Sequence, residues 1–562
     1  MGLGLGPRGR AIRLVEVCIS QQPNYIRGGM EHRIDLLLGL LVAVAALALL
    51  AQKIKVPYPI LFVIGGLLIA LIPGLPRIQL QPELVFFLFL PPLLFPSALF
   101  TSWRDFYASI RPISLLAVGL VLFTTLIVGY LAHYLVPGLP LAAAFALGAI
   151  ISPPDAVAAT AITQRLGVPR RVVTILEGES LVNDASALVA LRFAIAAMVT
   201  GSFSLASAGL SFVIVGIGGI AIGLAIGWLS SWVQKYIDDP PIQITISLLT
   251  PFAAYVAAER LGVSGVLAVV TAGLFIGWRA PEITNARMRL QAYPVWEMIV
   301  FLLNGIVFIL IGLQLPEVLK GLEGQSLPRL CWQAFVISVV VILIRILWVY
   351  PAAYLPRLLS KKIRERESDP TWRNLMVVAW TGMRGVVSLA AALALPFTLA
   401  NGAPFPGRNL ILFFTFSVIL ATLVFQGLTL PFLIRWLGVH GDGESQREER
   451  EARLRANQAA LARLKELGEQ DSIPEELIQR LRVEYEDRLR ELEVCELSQS
   501  AEAHVSPSTP YKRLQQEALV VERNTILQLR NERVINDEVM RRIEHDLDLA
   551  EARLRLEPNA SH

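Results

Sequence analysis

Apolar residues dominate the chain as far as about His440, in long stretches separated by short loops that carry most of the charge. Thirteen such stretches can be drawn, near 34–52, 57–73, 83–100, 111–136, 139–163, 170–200, 206–235, 241–259, 262–278, 292–315, 330–356, 372–398 and 408–437. Each, as a helix, suffices to cross a hydrocarbon layer of about 30 Å. The second and third are short and rich in Gly and Pro, so their ends are the least defined. After Gly441 the pattern changes. Leu477, Leu481, Tyr485, Leu489 and Leu492 recur every three or four residues among Glu and Arg, which predicts an amphipathic helix. A similar pattern covers 512–556, beyond the turn-prone Ser506-Pro-Ser-Thr-Pro510. The expected fold is an all-α polytopic membrane protein with about 13 transmembrane helices and a helical tail. Its expected domains are an N-terminal extension over 1–33, a transmembrane domain over 34–437 and a C-terminal domain over 438–562.

Composition agrees with that division. Of 562 residues 54% are hydrophobic and only 17% charged, and about half of the charged ones fall after His440. A net charge of +4 is too small to suggest a nucleic-acid partner. Cys18, Cys331 and Cys495 are far apart and match neither a disulfide framework nor a zinc spacing. One set of loops carries Lys53 and Lys55, Arg104, Arg165, Arg170 and Arg171, Lys235, Arg279, Arg287 and Arg289, and the cluster from Arg357 to Arg373. The alternate loops carry only Arg77, Arg260, Lys320, Arg329 and Arg408. Lys and Arg favour the cytoplasmic side, so the tail is expected there and the N-terminus outside, in a cell (inner) membrane. The arginines before Met30 would break this rule. Residues 1–29 also lack the apolar core of a signal peptide, so translation is expected to start at Met30. The tail has two open uses, as a solubilising or dimerising bundle or as a regulatory domain.

Chemistry concentrates in three of the apolar stretches. Glu177-Gly-Glu-Ser-Leu-Val-Asn-Asp184 heads the sixth, and carboxylates in hydrocarbon are expensive enough to imply function. On a helix, Ser180 and Asp184 share one face, and Glu179 and Asn183 share the neighbouring one. Hydroxyl, amide and carboxylate oxygens suit a hard cation or a proton. The fifth stretch contains Ile151-Ser-Pro-Pro-Asp155, whose prolines remove backbone donors and predict a break near mid-span. The twelfth contains Thr381-Gly-Met-Arg-Gly385, where two glycines weaken the helix around Arg384. Two interrupted helices seven segments apart suit two inverted six-helix repeats, one to six and eight to thirteen, joined by the seventh, as in secondary transporters. Asp155 and Arg384 carry the charges that offset the dipoles of the broken ends. Arg192 and Arg345 are expected either to pair with carboxylates as structural charges or to line the ion pathway, and His133 is expected to be a satisfied or interfacial histidine rather than a pH switch. The Gly216-Ile-Gly-Gly219, Gly223 and Gly227 series predicts close helix packing, one use of which is a dimer face. No stretch offers a nucleophile with a base, which argues against an enzyme.

Gly178-Glu-Ser-Leu-Val-Asn-Asp184, Ile151-Ser-Pro-Pro-Asp155, Gly382-Met-Arg-Gly385 and Gln426-Gly-Leu-Thr-Leu-Pro431 together resemble the monovalent cation:proton antiporter family. The branch resembled includes bacterial, archaeal and animal sodium/proton exchangers, and the likeness covers about 34–437. The resemblance implies that Asp184 binds the cation or the proton, never both. Asn183 stands where the electrogenic branch has a second aspartate. Asp155, Ser180 and the carbonyl of Pro154 match positions near the cation. Glu179 and Arg384 match a buried ion pair. The chain departs from the pattern at Pro96, where many relatives are acidic, and at Ala156, often Pro in relatives. The expected activity is exchange of Na+, or of Li+ or K+, for H+, electroneutral at one to one, by a homodimer without a cofactor. A K+/H+ antiporter of the same mechanism is the alternative, and a cation channel or a membrane sensor are readings from other classes.

Overall fold

Proline and glycine interrupt two of the predicted stretches, and the two interruptions lie against each other in the structure. The computed structural model describes residues 24–54, 57–72, 82–200, 205–322, 324–366, 371–399, 402–441, 443–470 and 475–498, with scattered residues from 519 to 551. Residues 1–23 lie outside the described residues, as does most of the predicted 512–556 helix. The chain divides into two compact units, Met1–Gly441 and Asp442–His562.

The regular secondary structure among the first unit's described residues is helical, with one isolated bridge between Thr398 and Pro404. It begins with α1 (Asn24–Ile54), α2 (Tyr58–Ala70) and α3 (Pro82–Phe100). A short α4 (Trp103–Ala108), capped by Ser102, leads to α5 (Ile110–Leu135). The interrupted fifth stretch forms α6 (Leu141–Ile151) and α7 (Ala156–Arg165). Next come α8 (Arg170–Thr200), α9 (Leu205–Gln234), α10 (Pro240–Arg260), α11 (Gly265–Ile283), α12 (Ala286–Lys320) and α13 (Leu327–Leu359). After a short α14 (Lys361–Arg366), the interrupted twelfth stretch forms α15 (Trp372–Trp380) and α16 (Val386–Leu393). The last apolar element is α17 (Arg408–Leu437). Among the described residues, nine helical stretches are long and apolar enough to cross a membrane, and three shorter apolar helices precede them.

These helices sort into two layers by their packing. α1 to α3 and α9 to α12 pack chiefly on one another, and α5 to α8, α13 and α15 to α17 do likewise. The outward face of α9 exposes Leu210, Val213, Ile217, Trp228 and Trp232, as a lipid-facing helix must when its surroundings are apolar. Its glycine series packs inward on α11 of the same chain. A Cβ at Gly219 would stand 2.6 Å from the Ser264 carbonyl oxygen, and one at Gly223 2.5 Å from that of Ala268. Close packing is thus the role of these glycines, and the partner the structure shows is α11 of the same chain. In the second unit α18 (Glu444–Gln470) and α19 (Glu475–Ser498) pack together, with surface pairs such as Arg482–Glu486 and Arg488–Glu484.

Candidate functional site

A broken helix leaves carbonyls without partners at the end of its first half and amides at the start of its second. Arginines meet the carbonyls. Arg384 donates its Nε to Ile151 O at 3.0 Å and further hydrogen bonds to the carbonyls of Ser152 and Gly382. Arg345, on α13, donates its Nε to Val378 O at 3.1 Å, near the end of α15. At the amide ends stands one carboxylate. Asp155 is the N-cap of α7, accepting from Val157 N at 2.9 Å, and its own amide donates to Met383 O at 2.7 Å. Gly385, the N-cap of α16, lies so close that a Cβ there would collide with Asp155 Oδ2. The Asp155 carboxylate therefore faces the positive ends of two half-helices at once. A π-helical turn at Thr422–Gln426 in α17 presents Thr422 Oγ1 to Arg384 N at 3.1 Å.

α8 runs beside the first break. Ser180 Oγ accepts from Ala156 N at 3.3 Å, and Asn183 Nδ2 donates to Pro154 O at 2.8 Å. Asn183 Oδ1 is buried without a partner among the described residues. Asp184 is 4% exposed, and among the described residues none hydrogen-bonds its carboxyl. It lines a cavity of about 660 Å³ together with Pro154, Asp155, Ser180 and Ser388. The cavity also reaches Asp105, Gln164, Arg170 and Glu177, so it opens toward the end of the helices that bears the Arg165–Arg171 loop. The five predicted binding residues, Asp184, Asn183, Asp155, Ser180 and Pro154, are therefore brought together around the break.

The predicted pair of Glu179 with Arg384 is not the one that forms. Glu179 accepts two hydrogen bonds from Arg345, at 2.5 and 2.8 Å, and both side chains are 1% exposed. Arg384 is occupied instead by carbonyls of both breaks, those of Ile151 and Ser152 across from it and that of Gly382 in its own. The sequence marked Arg345 as a charge in need of a carboxylate, and what it could not supply was how α13 rotates toward α8. Arg192 pairs with Glu259 at 3.0 Å, linking α8 to α10, and His133 Nδ1 contacts Leu139 O at 2.7 Å. Glu177 accepts from Gln164 Nε2 at 3.2 Å on the cavity wall. Asn304 and Gln426 are both buried with amides unpartnered among the described residues; Gln426 opens one of the motifs of the resemblance, whereas Asn304 carries no motif that would have singled it out.

The profile of the sodium/hydrogen exchanger transmembrane family matches residues 39–436. The chain belongs to the sodium/hydrogen exchanger family. It is 36% identical over 531 residues to an uncharacterized Na+/H+ exchanger of Mycobacterium tuberculosis, covering 94% of this chain and 97% of that one. It is 40% identical over 388 residues to a sodium, potassium, lithium and rubidium/H+ antiporter of Bacillus pumilus, covering 67% of this chain and 58% of that one. The solved sodium proton antiporter MjNhaP1 of Methanocaldococcus jannaschii superposes with a TM-score of 0.57 over 73% of this chain and 99% of its own, at 18% identity, a likeness of fold. This exchanger is accordingly an antiporter with transmembrane helices, and a transporter rather than an enzyme.

Proposed function

We propose that the chain exchanges Na+ for H+ across the membrane by competition of the two for Asp184. One observation carries this reading: a cavity open at one end leads to a buried carboxylate that none of the described residues hydrogen-bonds. A carboxylate buried without a partner is costly, and a proton or a cation relieves that cost equally well. Ser180, the Pro154 carbonyl, Asn183 Oδ1 and Asp155 supply further oxygens around the cation. Ser180 Oγ and Pro154 O each keep a lone pair beyond the hydrogen bond they already accept. The bound metal is the transported Na+ itself, held by Asp184, Asp155 and Ser180, and the exchange uses no cofactor.

In this reading the membrane domain has thirteen segments: the nine long stretches, the three short apolar helices and the interrupted 372–393. Segments one to six and eight to thirteen form inverted repeats, and rocking of one layer against the other alternates the open end of the cavity. The Arg165–Arg171 end faces the cytoplasm with the tail, by the positive-inside bias, and the protein works as a homodimer in the cell membrane. K+ as the cargo is the second reading, favoured by the potassium named for the Bacillus pumilus relative.

Proton flux in proteoliposomes on addition of Na+, Li+ or K+ tests both. Wild-type protein should exchange at least one of the three, and the ion of lowest half-saturating concentration identifies the cargo. Asp184→Asn should be folded and inactive, and exchange at the wild-type rate in that variant would overturn the assignment. Single-channel currents in a planar bilayer would favour a channel instead.

A further inference from the structure

The cavity wall across from Asp184 holds a polar side chain to which the exchange site as described gives no role. Asn304 lies midway along α12, is 1% exposed, and lines the same cavity as Asp155 and Asp184. Among the described residues neither its Oδ1 nor its Nδ2 has a hydrogen-bond partner. Trp296, on the same wall, is by contrast satisfied within the protein: its Nε1 donates to Ser247 Oγ at 3.2 Å. Along α12 the cavity wall runs from Tyr293 to Asn304, and along α8 from Arg170 to Asp184. Both walls start at the open end, so Asn304 and Asp184 are the innermost contributions of their helices. They also belong to different layers of the fold.

We propose that Asn304 is a ligand of the transported cation, supplied from the wall facing Asp184, and that its amide helps to set the preference among monovalent cations. The proposal rests on Asp184 being the exchange carboxylate. A neutral amide oxygen is a hard donor that replaces a water of the ion's hydration shell without adding charge. An oxygen held on a rigid helix, at the separation from Asp184 set by one arrangement of the two layers, favours one ionic radius over others in that state. When a proton takes the cation's place, rotation of the amide turns Nδ2 toward the protonated carboxyl as a donor. One side chain thus serves both loads with no change in net charge. Ser388, whose buried hydroxyl is also unpartnered, stands on α16 in the same layer as Asp184, so its distance to the carboxylate does not change when the layers move.

The test compares wild type, Asn304→Ala and Asp184→Asn in proteoliposomes, with initial exchange rates measured against Na+, Li+ and K+ at a fixed pH gradient. Thermal unfolding of each purified protein is recorded in parallel. In Asn304→Ala the KM for the preferred cation should rise about tenfold, the effect of one lost polar contact. The Na+ to K+ ratio of KM values should shift with it, while kcat falls less. A purely structural asparagine would lower the unfolding temperature and kcat and leave that ratio alone. If Asn304→Ala does not fold, Asn304→Ser, which keeps an oxygen on a shorter reach, should shift the ratio. Exchange lost in Asp184→Asn but wild-type KM values at position 304 overturn this proposal alone. Exchange that survives Asp184→Asn overturns the site and this proposal together.

Discussion

A bidentate guanidinium–carboxylate contact at 1% exposure is a buried ion pair whose value lies in never being half broken. Arg345 and Glu179 each desolvate fully, and their mutual attraction and hydrogen bonds offset that cost only while both are present. Arg345→Ala should therefore destabilise the protein by about 3–5 kcal/mol, because Glu179 is left as a stranded charge. Arg345→Leu combined with Glu179→Leu should recover most of that loss. Unfolding temperatures of the single and double variants in detergent check this, and equal losses in the double and single variants would contradict it. Arg384→Ala is a different experiment, since it strands backbone carbonyls at Ile151 and Ser152 and no carboxylate. At this scale the sequence revealed which residues bear costly charge. It did not reveal which charge meets which, because pairing depends on helix rotation across the bundle, and three intramembrane arginines offered plausible partners.

The two interrupted helices show what local chemistry can disclose and what it cannot. Pro153 and Pro154 in one and Gly382 and Gly385 in the other end their first halves at Ile151 and Trp380, close to where those residue types forbid or weaken a helix. The π-helical turn at Thr422–Gln426 has no such signature, since a slipped hydrogen bond changes no residue type, and only the packing shows that it delivers Thr422 to Arg384. Where the breaks touch, clearance is minimal. Gly385 caps α16 directly against Asp155, so any Cβ there must push the carboxylate aside. Gly385→Ala is expected to leave a folded protein whose exchange rate falls by about tenfold or more, since a displacement of about 1 Å at a reacting site costs on that order. Proteoliposome flux together with the unfolding temperature checks this. Wild-type flux would mean that Asp155 tolerates displacement and is no part of the site.

For the molecule as a whole, the decisive quantity is how many charges cross per turnover, and the placement of three polar residues argues for none. Asn183 is an amide and does not titrate. Asp155 stands in an environment built for an anion: it caps α7 and faces the N-terminus of α16, and both interactions weaken on taking a proton. Glu179 is committed to Arg345. Asp184 is buried, reached by the cavity and free of hydrogen bonds among the described residues, so in the proposed exchange one carboxylate carries either one cation or one proton. The loaded site then has the same charge in both directions of the cycle, and the membrane potential does no net work on it. With ion gradients held fixed in proteoliposomes, the exchange rate should stay constant as a K+-valinomycin potential is stepped through about 100 mV, a step worth about 2.3 kcal/mol to any single uncompensated charge. If K+ proves to be the cargo, an ionophore that carries another ion must set the potential. A rate that follows the voltage would mean that a second group titrates in the cycle, and Asp155 would be the first to exchange for asparagine.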